Sequence, residues 1–518
     1  MAINGDNGEM EKELWDTAEK LRGPVEAAEY KHVVLGLLFL KYMSDAFEKR
    51  RAELEELTHD PDSSYYCGND EEEREYILKD RDEYYSENVL YVPESAQWQK
   101  LQNNATSPQI GAKIDEAMHA VEDENPEQLK GMMHKRYSGI PQDSLEGLLN
   151  QLADIDLGKE DEDTFGRIYE YFIKEFAREE GQRGGEFYTP KHVVELLVEI
   201  LEPYEGRIFD PFCGSGGMFV QSKKFIQEHG GDEEEISIYG QEINQATLRI
   251  CRMNLFIRGI EGDIRLGDSI RDNQHKGLKA DRVITNPPFN MSEWGKDAVA
   301  DDDPRFEYGT PPTTNGNFAF MQHMIHHTSD DGMVGTVMAN GSMSVQGAEG
   351  KVREGIIEDD LLDVVISLPT NLFYGTNIPV SIWILSKNKI GDKYRNRENE
   401  TLFIDARELY EEIDRNLNKL NDSHISRIAD TVREYRGEKD VGEYEDETGF
   451  CKVETKAEIA DNQYMVTPGR YVGIEEEDGD DISFEAKMDE LTTEMREQFR
   501  KSDELQNKID ENLRGIGF

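Results

Sequence analysis

Apolar residues return at helical spacing through the first part of the chain. Trp15, Ala18, Leu21 and Val25 step by three and four, and Gly23-Pro24 interrupts the run. Val33, Leu37, Leu40 and Phe47 carry an apolar face onward, so residues 10–57 are predicted to be helical. Residues 58–95 are acidic and tyrosine-rich, with an acid run from Asp70 to Glu73, and read as an exposed insertion or loop. Helical patterning resumes over 107–156 around Ile114, Met118, Leu145, Leu148, Leu149 and Leu152.

From about residue 160 short apolar runs alternate with helical stretches. Ile208-Phe209, Ile236 to Tyr239, Arg282 to Thr285, Met333 to Met338 and Leu361 to Leu368 are strand candidates. Gln245 to Ile257 and Phe318 to Thr328 are helices between them. This alternation predicts a doubly wound α/β sheet, with Val380 to Leu385 as a late antiparallel strand. After residue 396 the chain reads as acidic and helical, with charge-rich loops at 437–448 and 474–481. Phe484, Met488, Leu491, Met495, Phe499, Leu505, Ile509 and Leu513 mark an amphipathic helix. It can pack on its own domain or pair with another chain, and both readings stay open. The expected division is a helical domain at 1–157, an α/β catalytic domain at 158–396, and a helical region at 397–518 suited to a subunit contact.

Composition narrows the class. A chain of 518 residues, 37% hydrophobic, has material for two or three folded domains. Cys67, Cys213, Cys251 and Cys451 form neither a disulfide framework nor a CxxC zinc signature, which fits a reducing interior. The opening residues lack the basic and apolar regions of a secretory signal, and Val33 to Leu40 is too short to span a bilayer, so a cytoplasmic location is expected with no membrane partner. The formal net charge is −51, the wrong sign for phosphate contacts. Two readings compete: a proteome-wide acidity that keeps proteins soluble in a salty cytoplasm, or avoidance of nucleic acid. Avoidance would exclude an enzyme of nucleic acid, whereas proteome-wide acidity would leave any such affinity to a local basic patch or a partner.

Asp210-Pro211-Phe212-Cys213-Gly214-Ser215-Gly216-Gly217 lies between a predicted strand and a predicted helix. Its three glycines let the backbone turn tightly and approach a ligand, and no GK[ST] makes it a Walker loop. Glu242 closes the second strand, where a carboxylate can accept both ribose hydroxyls of an adenosyl group. Asp268 follows Gly267 at a third strand end, where it can accept from an adenine amino group, with Ile270 near the ring face. Any one of 109 acids is ordinarily a surface group; only the ordered series singles these two out.

Asn286-Pro287-Pro288-Phe289 follows the strand Arg282 to Thr285. An exocyclic amine is a poor nucleophile because its lone pair is delocalised into the ring. The Asn286 side-chain oxygen and the Pro287 carbonyl, set against its two hydrogens, draw the nitrogen towards sp³ geometry. Pro287 and Pro288 stiffen the turn, and Phe289 offers a stacking face to a base swung out of a duplex. The chain contains no Pro-Cys pair, which disfavours thiolate chemistry at cytosine carbon 5. His323, His326 and His327 read as ordinary helix surface or core.

With these motifs the chain resembles the modification (M) subunit of type I restriction–modification systems, in the N6-adenine DNA methyltransferase family. Gly185-Glu186-Phe187-Tyr188-Thr189-Pro190-Lys191 is similar to that family's first cofactor motif, Asp210 to Gly217 to its main one, and Asn286 to Phe289 to its catalytic motif. Gly347 to Lys351, Leu368 to Pro379, Leu14-Trp15 and Phe39 to Tyr42 extend the likeness over nearly the whole chain; Cys213 departs from the family's usual small residue. The resemblance implies a Rossmann-like methyltransferase sheet with an N-terminal helical domain and a C-terminal helical tail. It also implies S-adenosyl-L-methionine as cofactor and double-stranded DNA as substrate. The partners it implies are a specificity (S) subunit, a second M copy and, in some assemblies, a restriction (R) subunit. The cofactor residues carried over are Glu186, Phe187, Tyr188, Thr189, Pro190, Lys191, Asp210, Gly214, Ser215, Gly216, Gly217, Glu242 and Asp268.

Two rivals are weighed. A protein-glutamine methyltransferase also uses an Asn-Pro-Pro-aromatic turn, but such chains are shorter and usually end the turn in Tyr. A non-catalytic scaffold for a specificity subunit would not need Asn286 and Phe289 intact.

Overall fold

The computed structural model describes residues 27–153, 162–181, 189–373, 378–390, 394–439 and 441–474, with isolated positions at 12–25 and 488–500. The chain forms two compact units, Met1–Val472 and Gly473–Phe518. In the second, Met488 and Met495 are helical and exposed; Phe484, Leu491, Phe499, Leu505, Ile509 and Leu513, and residues 475–481 of the expected loop, lie outside the described residues.

The first unit begins with helices. Helix α1 (Ala27–His59) is apolar all round at its middle, and Val33, Val34, Leu35, Leu37, Leu38, Phe39 and Leu40 are all buried, as befits a helix surrounded by others. It ends where Asp60-Pro61 cannot continue it. Helices α2 (Ile110–Glu124), α3 (Gln142–Ala153) and α4 (Glu162–Gly181) share its core, and Trp15 packs edge-on to Phe172 and Phe176 of α4. The reading of 58–95 as an exposed loop needs correction. A helix runs from Glu71 to Lys79, with Asp70 as its cap accepting from Glu72 and Glu73 backbone N–H groups. Leu78, Tyr84, Leu90 and Val92 are buried.

The chain then enters a nine-stranded sheet. Strands β1 (Gly206–Asp210), β2 (Ile236–Glu242), β3 (Gly262–Leu266), β4 (Ala280–Thr285) and β5 (Thr328–Ala339) are parallel. Strand β7 (Val380–Ser386) runs antiparallel between β5 and β6 (Leu362–Ser367), as its alternation predicted. Outside the sheet β9 (Glu411–Asp414) and β10 (Leu417–Lys419) form a hairpin, whereas β8 (Glu400–Asp405) and β11 (Cys451–Thr455) extend the sheet to the order β11-β8-β6-β7-β5-β4-β1-β2-β3. The expectation of a helical chain with charge-rich loops after residue 396 is therefore corrected for 397–472, where two strands carry the sheet past the expected end of the α/β domain. Helices α5 (Lys191–Leu201), α6 (Gly217–Glu228), α7 (Gln245–Ile257) and α10 (Asp422–Arg436) pack on one face; α8 (Asn317–His327) and α9 (Ala348–Glu358) cover the other. Ile250, Met253 and Ile257 of α7 also join the helical core, and Phe39 meets Phe256 at 5.7 Å, so α7 fastens the helical layer to the sheet.

Strand order reverses between β1 and β4. In a doubly wound sheet that reversal opens a crevice at the carboxyl ends of the two strands. Both chemical motifs leave the sheet there: the glycine loop after β1 and the Asn-Pro-Pro-Phe turn after β4.

At the far end of the sheet Arg397 and Asp363, both at most 1% exposed, form a two-point ion pair at 3.1 and 3.2 Å. Burial alone would raise the Asp363 carboxyl, but Arg397, Lys389 and Arg436 beside it hold it below the usual carboxylate range. Arg397→Met leaves that carboxylate facing only the two farther cations. It is expected to destabilise the unit by ~3 kcal/mol, read as a lowered denaturant midpoint; a midpoint equal to wild type would show that Lys389 and Arg436 suffice.

Candidate active site

The glycine loop is shaped by bonds to its neighbours. Cys213 N–H donates to the Gln241 carbonyl at 3.0 Å, and Gly216 N–H to the Cys213 carbonyl at 2.8 Å. Gly214 and Gly216 have φ of +53° and +81°, which a side chain would strain. A Cβ on Gly216 would also stand 2.9 Å from Cys251 Sγ. A Cβ on Gly217 would meet nothing within 4 Å, so the bare backbone there faces open space. Cys213 itself is buried against Cys251, the small apolar role expected of it. Asn254 of α7 donates to the Ser215 carbonyl at 2.9 Å and fixes the loop from behind. A crevice beside the loop is lined by Thr189, Lys191, Ser215, Gly217, Gln221 and Asn254.

Two carboxylates frame the loop. Glu242, at the end of β2, accepts from Gly214 N–H at 3.0 Å and from Asn244 N–H at 2.7 Å. Asp210, at the end of β1, accepts from Phe212 N–H at 3.0 Å and from the Thr285 hydroxyl of β4. Burial pushes the Asp210 carboxyl up to about 7; those two bonds oppose the shift and Glu242 adds to it. Asp268 accepts from the N–H groups of Ile270 and Arg271, both at 2.9 Å, and pairs with the Arg271 guanidinium at 3.0 Å. Ile270 is buried next to it.

The catalytic turn starts one residue after Thr285. The Asn286 amide NH₂ donates to the Thr189 hydroxyl at 2.8 Å. Its oxygen is buried and meets no hydrogen-bond donor. Pro287 is buried, and the half-buried Phe289 ring meets Phe373 edge to face at 6.0 Å. Asn290 has a φ of +52°, a conformation asparagine tolerates better than most residues. It is held there by reciprocal bonds with Asn317 at the start of α8: Asn290 N–H to Asn317 Oδ1 at 2.8 Å, and Asn317 Nδ2 to Asn290 Oδ1 at 3.0 Å.

Thr189 thus joins the two motifs, because it lines the loop crevice and holds the Asn286 amide. Pro190 caps α5 and Lys191 is exposed, 3.5 Å from Glu195. Glu186, Phe187 and Tyr188 lie outside the described residues, as do residues 374–377 of the Leu368 to Pro379 stretch. Sequence reasoning missed Asn254, Asn290 and Asn317; the available signal was polar amides set in apolar surroundings. His327 is a core residue bonded to the Leu278 carbonyl and to Asn273, and His323 is fully buried. No cluster of potential metal ligands occurs among the described residues, and no helix among them is long and apolar enough to cross a membrane.

A glycine loop after β1, an acid at the end of β2 and an Asn-Pro-Pro-Phe turn after β4 of a doubly wound sheet place the chain in the class of Rossmann-like methyltransferases. Residues 160–480 match the N-6 DNA Methylase family and residues 10–152 the HsdM N-terminal domain. The chain belongs to the methylase subunits of type I restriction enzymes. It is 43% identical to the type I restriction enzyme MjaIX methylase subunit of Methanocaldococcus jannaschii over 98% of this chain and 92% of that one. The HindI methylase subunit of Haemophilus influenzae is 42% identical over 82% of this chain and its own full length. The solved type I restriction-modification methyltransferase subunit of Streptococcus thermophilus superposes with a TM-score of 0.76 at 25% identity, covering 90% of this chain and 100% of that one.

The raised Asp210 carboxyl has a consequence for stability. Its unfolded value is about 4, so between pH ~4 and ~7 the folded chain keeps a proton that the unfolded chain has lost. Unfolding then releases a proton, and this group's contribution falls as pH rises through that window. Asp210→Asn should flatten this component in melting curves taken across the range; an unchanged slope would show that another group carries it.

Proposed function

We propose that the chain transfers a methyl group from S-adenosyl-L-methionine to N6 of an adenine swung out of double-stranded DNA. In this reading it works as the M subunit beside a specificity subunit and a second copy of itself, with a restriction subunit joining in some assemblies. The observation that carries this reading is the Asn286 amide: its NH₂ is held by Thr189 while its buried oxygen meets no donor of the protein. A buried acceptor without a partner costs about 1–3 kcal/mol, so an arriving N–H is strongly favoured at that point.

The cofactor fits the residues present. The bare backbone at Gly217 and the crevice beside it leave room along the glycine loop. Gly214 to Gly217, with Thr189 to Lys191, would hold the methionine end, Glu242 the ribose and Asp268 the adenine. When bound, the cofactor supplies an electrophilic methyl group on a sulfonium sulfur. Asn286 Oδ1 and the Pro287 carbonyl accept the two amine hydrogens and free the nitrogen lone pair. Phe289 stacks on the base, and the proline-stiffened turn holds the amine in position. Orientation of this kind supplies roughly 7–11 kcal/mol of a barrier. We divide the roles accordingly: a helical domain to residue 157, a catalytic domain from 158, and a subunit contact in the terminal region.

Co-expression with the neighbouring specificity subunit, followed by long-read mapping of modified bases, tests the reading; N6-methyladenine at one recurrent site is the expected result. Asn286→Ala should abolish methylation and leave cofactor affinity within about twofold, since it removes the amine's acceptor and, on the cofactor side, only one hydrogen bond to the Thr189 hydroxyl. Near wild-type methylation by that variant would remove Asn286 from the chemistry. Glu242→Ala should weaken cofactor binding at least ~10-fold, because it removes the ribose acceptor and unpairs Gly214 N–H; an unchanged dissociation constant in calorimetry would place Glu242 outside the site.

A further inference from the structure

A second carboxamide next to the catalytic turn has an unsatisfied oxygen. Asn340 follows the carboxyl end of β5, the strand paired in parallel with β4. Its N–H donates to the Pro379 carbonyl at 3.0 Å, but its side-chain oxygen is buried and meets no donor. The backbone around it is fixed on both sides. Ser342 Oγ accepts from Asn317 Nδ2 at 3.1 Å, and that same NH₂ holds Asn290 directly after Phe289. The fully buried Arg353 donates to the carbonyls of Ser342 and Val345 at 3.0 and 2.7 Å. Pro379 in turn closes the segment that carries Phe373, the ring set against Phe289. One short turn, rigidly tied to the catalytic turn, therefore carries an amide whose inner end the protein leaves unmatched.

We propose that Asn340 is a further substrate-positioning residue that grips the swung-out adenine on its N6/N7 edge. This rests on the adenine reading above. A carboxamide can accept from an adenine N6–H and donate to N7 at once, a pairing that guanine, with two acceptors on that edge, and thymine, with no amine, cannot complete. Its oxygen shares the N7-side amine hydrogen with the Pro287 carbonyl, and its NH₂ donates to N7. Asn286 keeps the other amine hydrogen. Asn340 thereby orients the ring so that the amine meets Asn286, and it selects a base that carries an amine beside a ring-nitrogen acceptor.

The test uses the full chain assembled with its specificity subunit and a duplex carrying the mapped site, in which the target adenine is replaced by 7-deazaadenine. That base keeps the amine and N1 but has C–H in place of N7. The wild-type complex should lose ~10-fold in kcat/KM on the 7-deaza duplex. The isosteric Asn340→Asp, which keeps an acceptor for the amine but has no donor for N7, should lose a similar factor on adenine and nothing more on 7-deazaadenine, and Asn340→Ala, which loses both contacts, should lose at least as much on adenine with no added penalty for the missing N7. Cofactor affinity and melting temperature report folding, and Asn340→Ser replaces the alanine variant if that one fails to fold. Equal wild-type rates on the two duplexes, or a 7-deaza penalty that persists in the Asn340 variants, would overturn this inference alone. Methylation of a base other than adenine would overturn the functional reading and this inference with it.

Discussion

The hydrogen bond from the Thr285 hydroxyl to Asp210 is the contact on which the site depends. It spans the one place in the sheet where strand order reverses, and it joins the last residues of β1 and β4. Everything upstream of the chemistry is referred to that point. Asp210 continues into the loop that Glu242 and Asn254 hold in place. Thr285 continues into the turn that Thr189 and Asn317 fix from two sides. An interior acid kept near neutrality by burial suits this post better than a free charge would. It can accept hydrogen bonds across the strand gap without the full desolvation cost of a carboxylate ion.

Charge is distributed unevenly between inside and outside. Arg353, Arg397 and Arg436 are fully buried, and they bind backbone carbonyls or Asp363. Such residues are lost to phosphate contacts, while a net charge of −51 leaves carboxylates in excess on the surface. Long-range repulsion of a duplex weakens with salt, since the screening length falls from ~10 Å at 0.1 M to ~3 Å at 1 M. The same salt removes the counterion-release gain that basic proteins use to hold DNA. On the proposed function, grip on the duplex therefore falls to a partner subunit and to short-range contacts with the extruded base. A pocket whose acceptors wait for one particular amine supplies the second of these.

What could be read in the sequence was local. Asn286 to Phe289 and Asp210 to Gly217 are legible because the backbone conformation each needs restricts the residue types along a continuous run. Strands β1, β2, β4, β5, β6 and β7 are legible from short apolar runs between helical stretches. Strand β8 was not, because six residues, Glu400 to Asp405, with acids at both ends, fit a buried strand or a helix turn equally by periodicity. The acid run at 70–73 looked like solvated loop; it is a helix start, where a capping Asp and first-turn carboxylates face the positive end of the helix dipole.

The bonds that make the site specific were hidden for a different reason. Thr189 and Asn286 are 97 residues apart, and Asn290 and Asn317 are 27 apart. No local pattern announces such pairs, because only the strand order brings them together. The orientation of Asn286 depends on the first of them. An asparagine amide has two ends of nearly equal size, and rotation by half a turn would present a donor where an acceptor is needed. In the orientation observed, the Thr189 hydroxyl accepts from the NH₂ and the oxygen is left bare. On the proposed function, a hydroxyl just ahead of α5 therefore engages the amide at the end away from an incoming amine, and the bare oxygen is what the amine meets.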